Sequence, residues 1–119
     1  MASDTYHEPL ELLSEDIRNL HRAIVSLMEE LEAIDWYGQR AAACPDANLK
    51  AVILHNRNEE IEHAMMVLEW IRRHHGDFDA PMRRYLFTEQ PITAIEEKAT
   101  NATADAGGAT LGIGSLKGR

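Results

Sequence analysis

Glu60 and His63 stand three residues apart in the stretch "HNRNEEIEHAMMVLEW", where a helical apolar pattern would otherwise place Leu. An i, i+3 pair lies on one helical face about one turn apart. Burying an unpaired carboxylate costs several kcal/mol. A basic partner, a hydrogen-bond network, a metal ion or exposure to water could each offset that. A third residue narrows the choice. Glu30 is flanked by the apolar Leu27 and Leu31 at the edge of an upstream helical stripe. It lies ~14 residues before the break at Cys44, and Glu60 ~16 residues after it. At about 1.5 Å per residue both stand roughly 21–24 Å from that break. An antiparallel hairpin therefore sets Glu30 level with Glu60 and His63. Arg57 belongs to a different stripe, so no cation is in view. Two carboxylates and one imidazole without a cation favour a metal, and the mixture suits iron, manganese or zinc better than calcium or magnesium.

The elements that must carry these side chains follow from periodicity. Leu10, Leu13, Ile17, Leu20, Ile24, Leu27, Leu31 and Ile34 alternate three- and four-residue spacings, predicting one long helix from Pro9 to about Ala42. "CPDAN" interrupts it: Pro45 stops one helix and Asp46 can cap the next. A second helix is expected over 47–75, with Gly76 as its stop. One of its stripes is Leu54, Arg57, Ile61, Ala64, Leu68 and Ile71; the adjacent one is Leu49, Ile53, Asn56, Glu60, His63, Val67 and Trp70. A shorter helix is expected over 80–87, then one or two turns after Pro91. The expected organisation is a helical domain over 1–98, a flexible linker over 99–110 ("ATNATADAGGAT" being small and polar) and a terminal peptide over 111–119. That peptide returns apolar Leu111, Ile113 and Leu116 among glycines, a pattern suited to another protein's groove.

The fold class is thus all-α, an antiparallel two-helix hairpin with a short C-terminal helix. Each long helix has more than one stripe to cover, so the hairpin is expected to pair with a copy of itself into a four-helix bundle. Di-iron bundles use a Glu from each of two helices and Glu-x-x-His from each of the other two. This chain holds half of that set. A homodimer would complete it, its two-fold axis running between the metals.

The 119 residues suffice for one small domain, and the net charge of −8 disfavours nucleic acid or anionic lipid as partners. No apolar run is long enough for a membrane span, and the N-terminus carries no secretion signal pattern. The single Cys44 excludes an intramolecular disulfide and suits the cytoplasm. Met28, Met65 and Met66 read as packing residues, and His74 and His75 as helix-end residues.

The stretches "HRAIVSLMEELEAIDWY", "HNRNEEIEHAMMVLEW", "YLFTEQPITAIE" and the terminal "GIGSLKGR" strongly resemble the encapsulated ferritins, ferritin-like ferroxidase cargo of encapsulin nanocompartments. The resemblance implies a ferritin-like bundle assembled as a ring-shaped homodecamer of five dimers. It implies oxidation of Fe(II) by dioxygen, iron storage inside the compartment, and a di-iron centre. Glu30, Glu60 and His63 would be its ligands, with Tyr37 nearby. Glu29 and Glu32 would form an acidic metal-attraction site beside Trp36, and calcium or zinc are expected at such sites in crystals. It also implies that Leu111, Ile113 and Leu116 belong to an encapsulin-targeting peptide.

Overall fold

A computed structural model describes the backbone of residues 5–105 and the side chains of residues 5–98. The described residues are helical, with no strand among them: a 3-10 turn at Leu10–Leu12, then α1 (Glu15–Ala43), α2 (Ala47–His74), α3 (Gly76–Tyr85) and α4 (Ile92–Asp105). The chain divides into two units, Met1–Phe78 and Asp79–Arg119, with the boundary inside the first turn of α3.

The long helix begins at Glu15, not at Pro9. Leu13 is extended (φ −102°, ψ 128°), which separates the 3-10 turn from α1. Ser14 caps α1, its hydroxyl accepting from the Ile17 N–H at 3.2 Å, and Glu15 and Asp16 complement the positive end of the helix. The 3-10 turn is tied down by the Arg18 guanidinium, which donates to the Leu10 carbonyl. The break forms as its residues dictate. Cys44 is extended at the end of α1, and the Asp46 carboxylate accepts from the Leu49 N–H at 2.9 Å to start α2.

Gly76 does not stop α2. His75 takes an extended conformation (φ −134°, ψ 93°) and Gly76 opens α3. The helix expected over 80–87 therefore starts four residues earlier and ends two earlier, and Pro81 lies inside it. Helix α4 is longer than one or two turns and carries helical backbone past residue 98, through part of the stretch whose composition reads as linker. Its Ala content favours helix, and the Pro91 carbonyl accepts from Ala94 and Ile95 to nucleate it.

α1 and α2 pack along their length as an antiparallel hairpin. Its dry seam is thin: Ala41, Ala64 and Ile71 are the fully buried apolar residues among those described. Outside the seam, Ile17, Ile24, Leu31, Leu49, Val52, Ile61, Met65 and Met66 are each more than a third exposed. At about 25 cal/mol per Å², such side chains represent a large unused driving force for association. Within the second unit, α3 ends at a turn in which Phe87 takes φ 61°. That left-handed geometry costs a bulky L-residue about 1–2 kcal/mol.

Candidate metal centre

Glu30 projects from the middle of α1, and Glu60 and His63 from the middle of α2. The hairpin brings one oxygen of each carboxylate and one ring nitrogen of His63 within 4.8 Å of one another. His63 Nδ1 lies 3.3 Å from Glu60 Oε1 and 4.0 Å from Glu30 Oε1. The two carboxylates are about a quarter exposed (24% and 26%) and the imidazole is half exposed. The cluster is walled by its own hairpin on one side and open on the other.

Among the described residues, no arginine is paired with Glu30 or Glu60. The aliphatic part of Arg57 lies against α1, its Cδ 4.0 Å from where a Cβ on Gly38 would be. Its guanidinium donates to Asn58 Oδ1 at 2.9 Å. The carboxylates answer one another instead. Glu30 is held above the ordinary carboxylate range of 4.5, first by its hydrogen bond to Glu60, then by partial burial and the repulsion of the Glu60 charge. Glu60 is lowered, chiefly because Glu30 donates to it, with His63 helping. The two carboxyl groups thus share a hydrogen bond that favours a proton on Glu30 over one on Glu60. A divalent cation in the same position would let both ionise, and carboxylate plus imidazole donors are an appropriate set for iron. The residues present fit such an ion.

The remaining candidates lie apart from the cluster. Tyr37 is half-buried and Trp36 about half exposed on α1. The Arg40 guanidinium sits 5.7 Å from the Tyr37 ring centre and 6.0 Å from that of Trp36. Glu29 is exposed and Glu32 half-buried. Among the described residues no metal-capable group of three forms around either; Glu30, Glu60 and His63 make the one such group. Glu29 does act on the site through its charge, which adds to the rise at Glu30. Leu111, Ile113 and Leu116 lie outside the described residues.

Sequence reasoning passed over two features. Arg40 follows Trp36 and Tyr37 at helical spacings of four and three, which places it beside both rings. Glu69 is gripped by Arg72 at 2.7 Å and by Arg73 at 2.8 Å, and the i+3 and i+4 spacings were the available signal.

The EncFtn-like family matches residues 5–89 of this chain. An encapsulated ferritin-like protein of Rhodospirillum rubrum is 54% identical over 128 aligned positions, which cover 98% of this chain and 91% of that protein. A ferritin-like protein of Thermotoga maritima is 46% identical, with 96% of this chain and 99% of that protein covered. A crystal structure of a Nitrosomonas europaea protein superposes with a TM-score of 0.70 at 57% identity, covering 73% of this chain and 96% of that one. On this match of residues 5–89 and on these identities, the chain belongs to the EncFtn-like family of encapsulated ferritin-like proteins.

Proposed function

We propose that this chain is a ferroxidase: it oxidises Fe(II) to Fe(III) with dioxygen at a di-iron site shared across a homodimer, and delivers the product for storage inside an encapsulin compartment. The observation that supports this most is the approach of Glu30, Glu60 and His63 to within 4.8 Å with one side open. That is one half of the donor set a di-iron bundle needs. A second hairpin facing the first would supply the other half and cover the exposed apolar side chains. The relatives' names, encapsulated ferritin-like and ferritin-like, are consistent with iron as the ion handled.

Iron here is the substrate: it is bound, oxidised and passed on. Glu60 offers a carboxylate oxygen beside the His63 imidazole. Glu30, whose carboxyl is raised, would face the same ion once ionised, and the cation's charge favours that ionisation. An anionic donor set stabilises Fe(III) over Fe(II), so the residues favour electron loss. Two Fe(II) ions would supply one electron each to one dioxygen, which with two protons from solvent leaves as hydrogen peroxide. Carboxylates release a ligand atom more readily than thiolates do, which suits a site that must discharge its product. Glu29 and Glu32 raise the local cation concentration along α1. Five such dimers would close the ring, and residues 111–119 would address it to the encapsulin shell in the cytoplasm. No helix among the described residues is long and apolar enough to cross a membrane.

The test is Fe(II)-dependent oxygen consumption followed across a size-exclusion profile. Activity should appear in dimer-sized and larger fractions and be missing from monomer-sized ones. An active monomer refutes the shared site, and oxygen consumption in no fraction refutes the ferroxidase. Removal of residues 111–119 should leave oxidation intact and stop loading into encapsulin; normal loading removes the address role.

A further inference from the structure

Met66 is 68% exposed, a large share for a residue whose type suits packing. It follows His63 by three residues on α2. That spacing makes the two side chains neighbours on one face, about one turn apart. Round the helix, Met66 lies about 60° from His63, on the side away from the Ala64 seam. It therefore stands at the rim of the face that bears the metal donors. Met65 is also exposed, at 50%. Its offset of two residues turns it about 160° from His63, onto the other side of α2.

A groove of about 350 Å³ runs beside Met66 on the donors' face. Ser26 of α1 and Val67 of α2 line the end nearest the donors. Ser26 precedes Glu30 by four residues and Val67 follows His63 by four, so each is one helical turn from a donor and on its side of the helix. Asn19 and Arg22 give one wall polar groups, and Met66 and Trp70 give the other an apolar strip. The space takes several waters at about 30 Å³ each, and so takes hydrogen peroxide, a solute of nearly that size. Peroxide is what two Fe(II) ions and one dioxygen leave behind. The cluster is walled on one side by its own hairpin, so peroxide departs through the open side. By helical position Met66 carries the exposed sulfur nearest to that side among the described residues. A thioether reacts slowly with dilute peroxide, and holding the two reactants together is what raises such a rate.

We propose that Met66 accepts an oxygen atom from hydrogen peroxide released at the metal centre and becomes methionine sulfoxide. A sulfur lone pair attacks one peroxide oxygen, the O–O bond breaks and an S–O bond forms. The departing hydroxide takes up the proton left on the transferred oxygen and leaves as water. Sulfur loses two electrons and peroxide gains them, so the step balances without a further reductant. Each Met66 removes one peroxide and is restored by sulfoxide reduction. This role rests on the ferroxidase reading and adds a protecting side chain to it: peroxide is intercepted before it meets Fe(II) arriving at the same open side.

The test is peptide mapping by mass spectrometry of the full-length protein after Fe(II) addition in air. Catalase is present to destroy peroxide that reaches bulk solution. Met66 should gain one oxygen at least ~10-fold more often than Met65. Hydrogen peroxide added to the iron-free protein is the reference. It should oxidise both residues to within about twofold, because their exposures are alike. If added peroxide already favours Met66 as strongly as turnover does, its place beside the centre is not the cause and the proposal fails. With catalase omitted, the first Fe(II) addition to Met66→Leu should release at least ~3-fold more free peroxide than in wild type; equal release refutes the protecting role. Oxygen consumption with no sulfoxide at Met66, with as much at Met65, or with sulfoxide that catalase abolishes overturns the proposal and leaves the ferroxidase standing. Absence of oxygen consumption removes the ferroxidase and this role with it.

Discussion

Two acidic nodes of the same hairpin behave in opposite ways. Near the end of α2, Glu69 is clamped by Arg72 and Arg73, and its carboxyl is lowered from 4.5 to about 2, first by the hydrogen bond from Arg72 and then by that from Arg73. In the middle of the hairpin, Glu30 and Glu60 face one another with His63 and no arginine, and Glu30 is raised. The first node brings its own cations and is complete. The second is short of positive charge, and the raised Glu30 carboxyl registers that shortage. The contrast separates a structural ion pair from a receptive site: carboxylates that must take up and release a cation cannot be permanently neutralised by a side chain.

The largest expected effect comes from removing donors at the receptive node. Glu60→Ala and His63→Ala should each lower Fe(II) oxidation at least ~100-fold, since even residues outside a metal's own ligands cost 10–100-fold when lost. Wild-type rates in both would erase the distinction between the nodes. A subtler change is Glu30→Gln. Its amide donates to Glu60 as protonated Glu30 does, but it cannot ionise. A raised carboxyl stabilises the fold below its unfolded value and loses that contribution as pH rises through its folded value. The metal-free variant should therefore unfold at a higher temperature than wild type at pH 7, and the gap should close near pH 4. Saturating Mn(II) should stabilise wild type, by about 2.7 kcal/mol at one hundred times its dissociation constant, and leave Glu30→Gln unmoved. Equal Mn(II) stabilisation of both proteins would exclude Glu30 from the site.

The smallest effect is expected at the complete node. Glu69 is depressed in the folded state, so its contribution is present above 4.5 and is lost as pH falls toward about 2. Glu69→Gln should be modestly less stable than wild type at pH 7, with the difference vanishing near pH 2 and Fe(II) oxidation unaffected. The node is exposed, so solvent screening keeps the effect small. A rate defect in this variant would blur the two classes that the comparison draws.

Much of the hairpin was legible because its signals are local. The three-four stripe, Pro45 as a stop and Asp46 as a cap depend on neighbours within a turn, and the Asp46 cap forms as its type requires. The level of Glu30 with Glu60 and His63 needed only the rise per residue and a tight break. The start of α1 was less legible. Leu10 and Leu13 continue the stripe in phase, and periodicity alone cannot show that Leu13 turns extended. Ser14 followed by two acids was the competing signal, and the cap won. Gly76 misled for a related reason. Glycine permits a helix stop, but the stop is not obligatory there when the adjacent His75 makes the break. Composition was a poor guide over 99–105, where alanine sustains helix among polar residues.

By itself, the amino-acid order determined two long amphipathic helices, the break between them and the heights of three donors, because each follows from short-range geometry along the chain. Tertiary structure decided what those donors meet. It set Glu30 of α1 against Glu60 of α2 closely enough to share a hydrogen bond and brought both within 4.8 Å of His63. Such encounters depend on helix rotation and side-chain direction across a packed seam, where a few ångströms separate a neutralised carboxylate from one that awaits a cation.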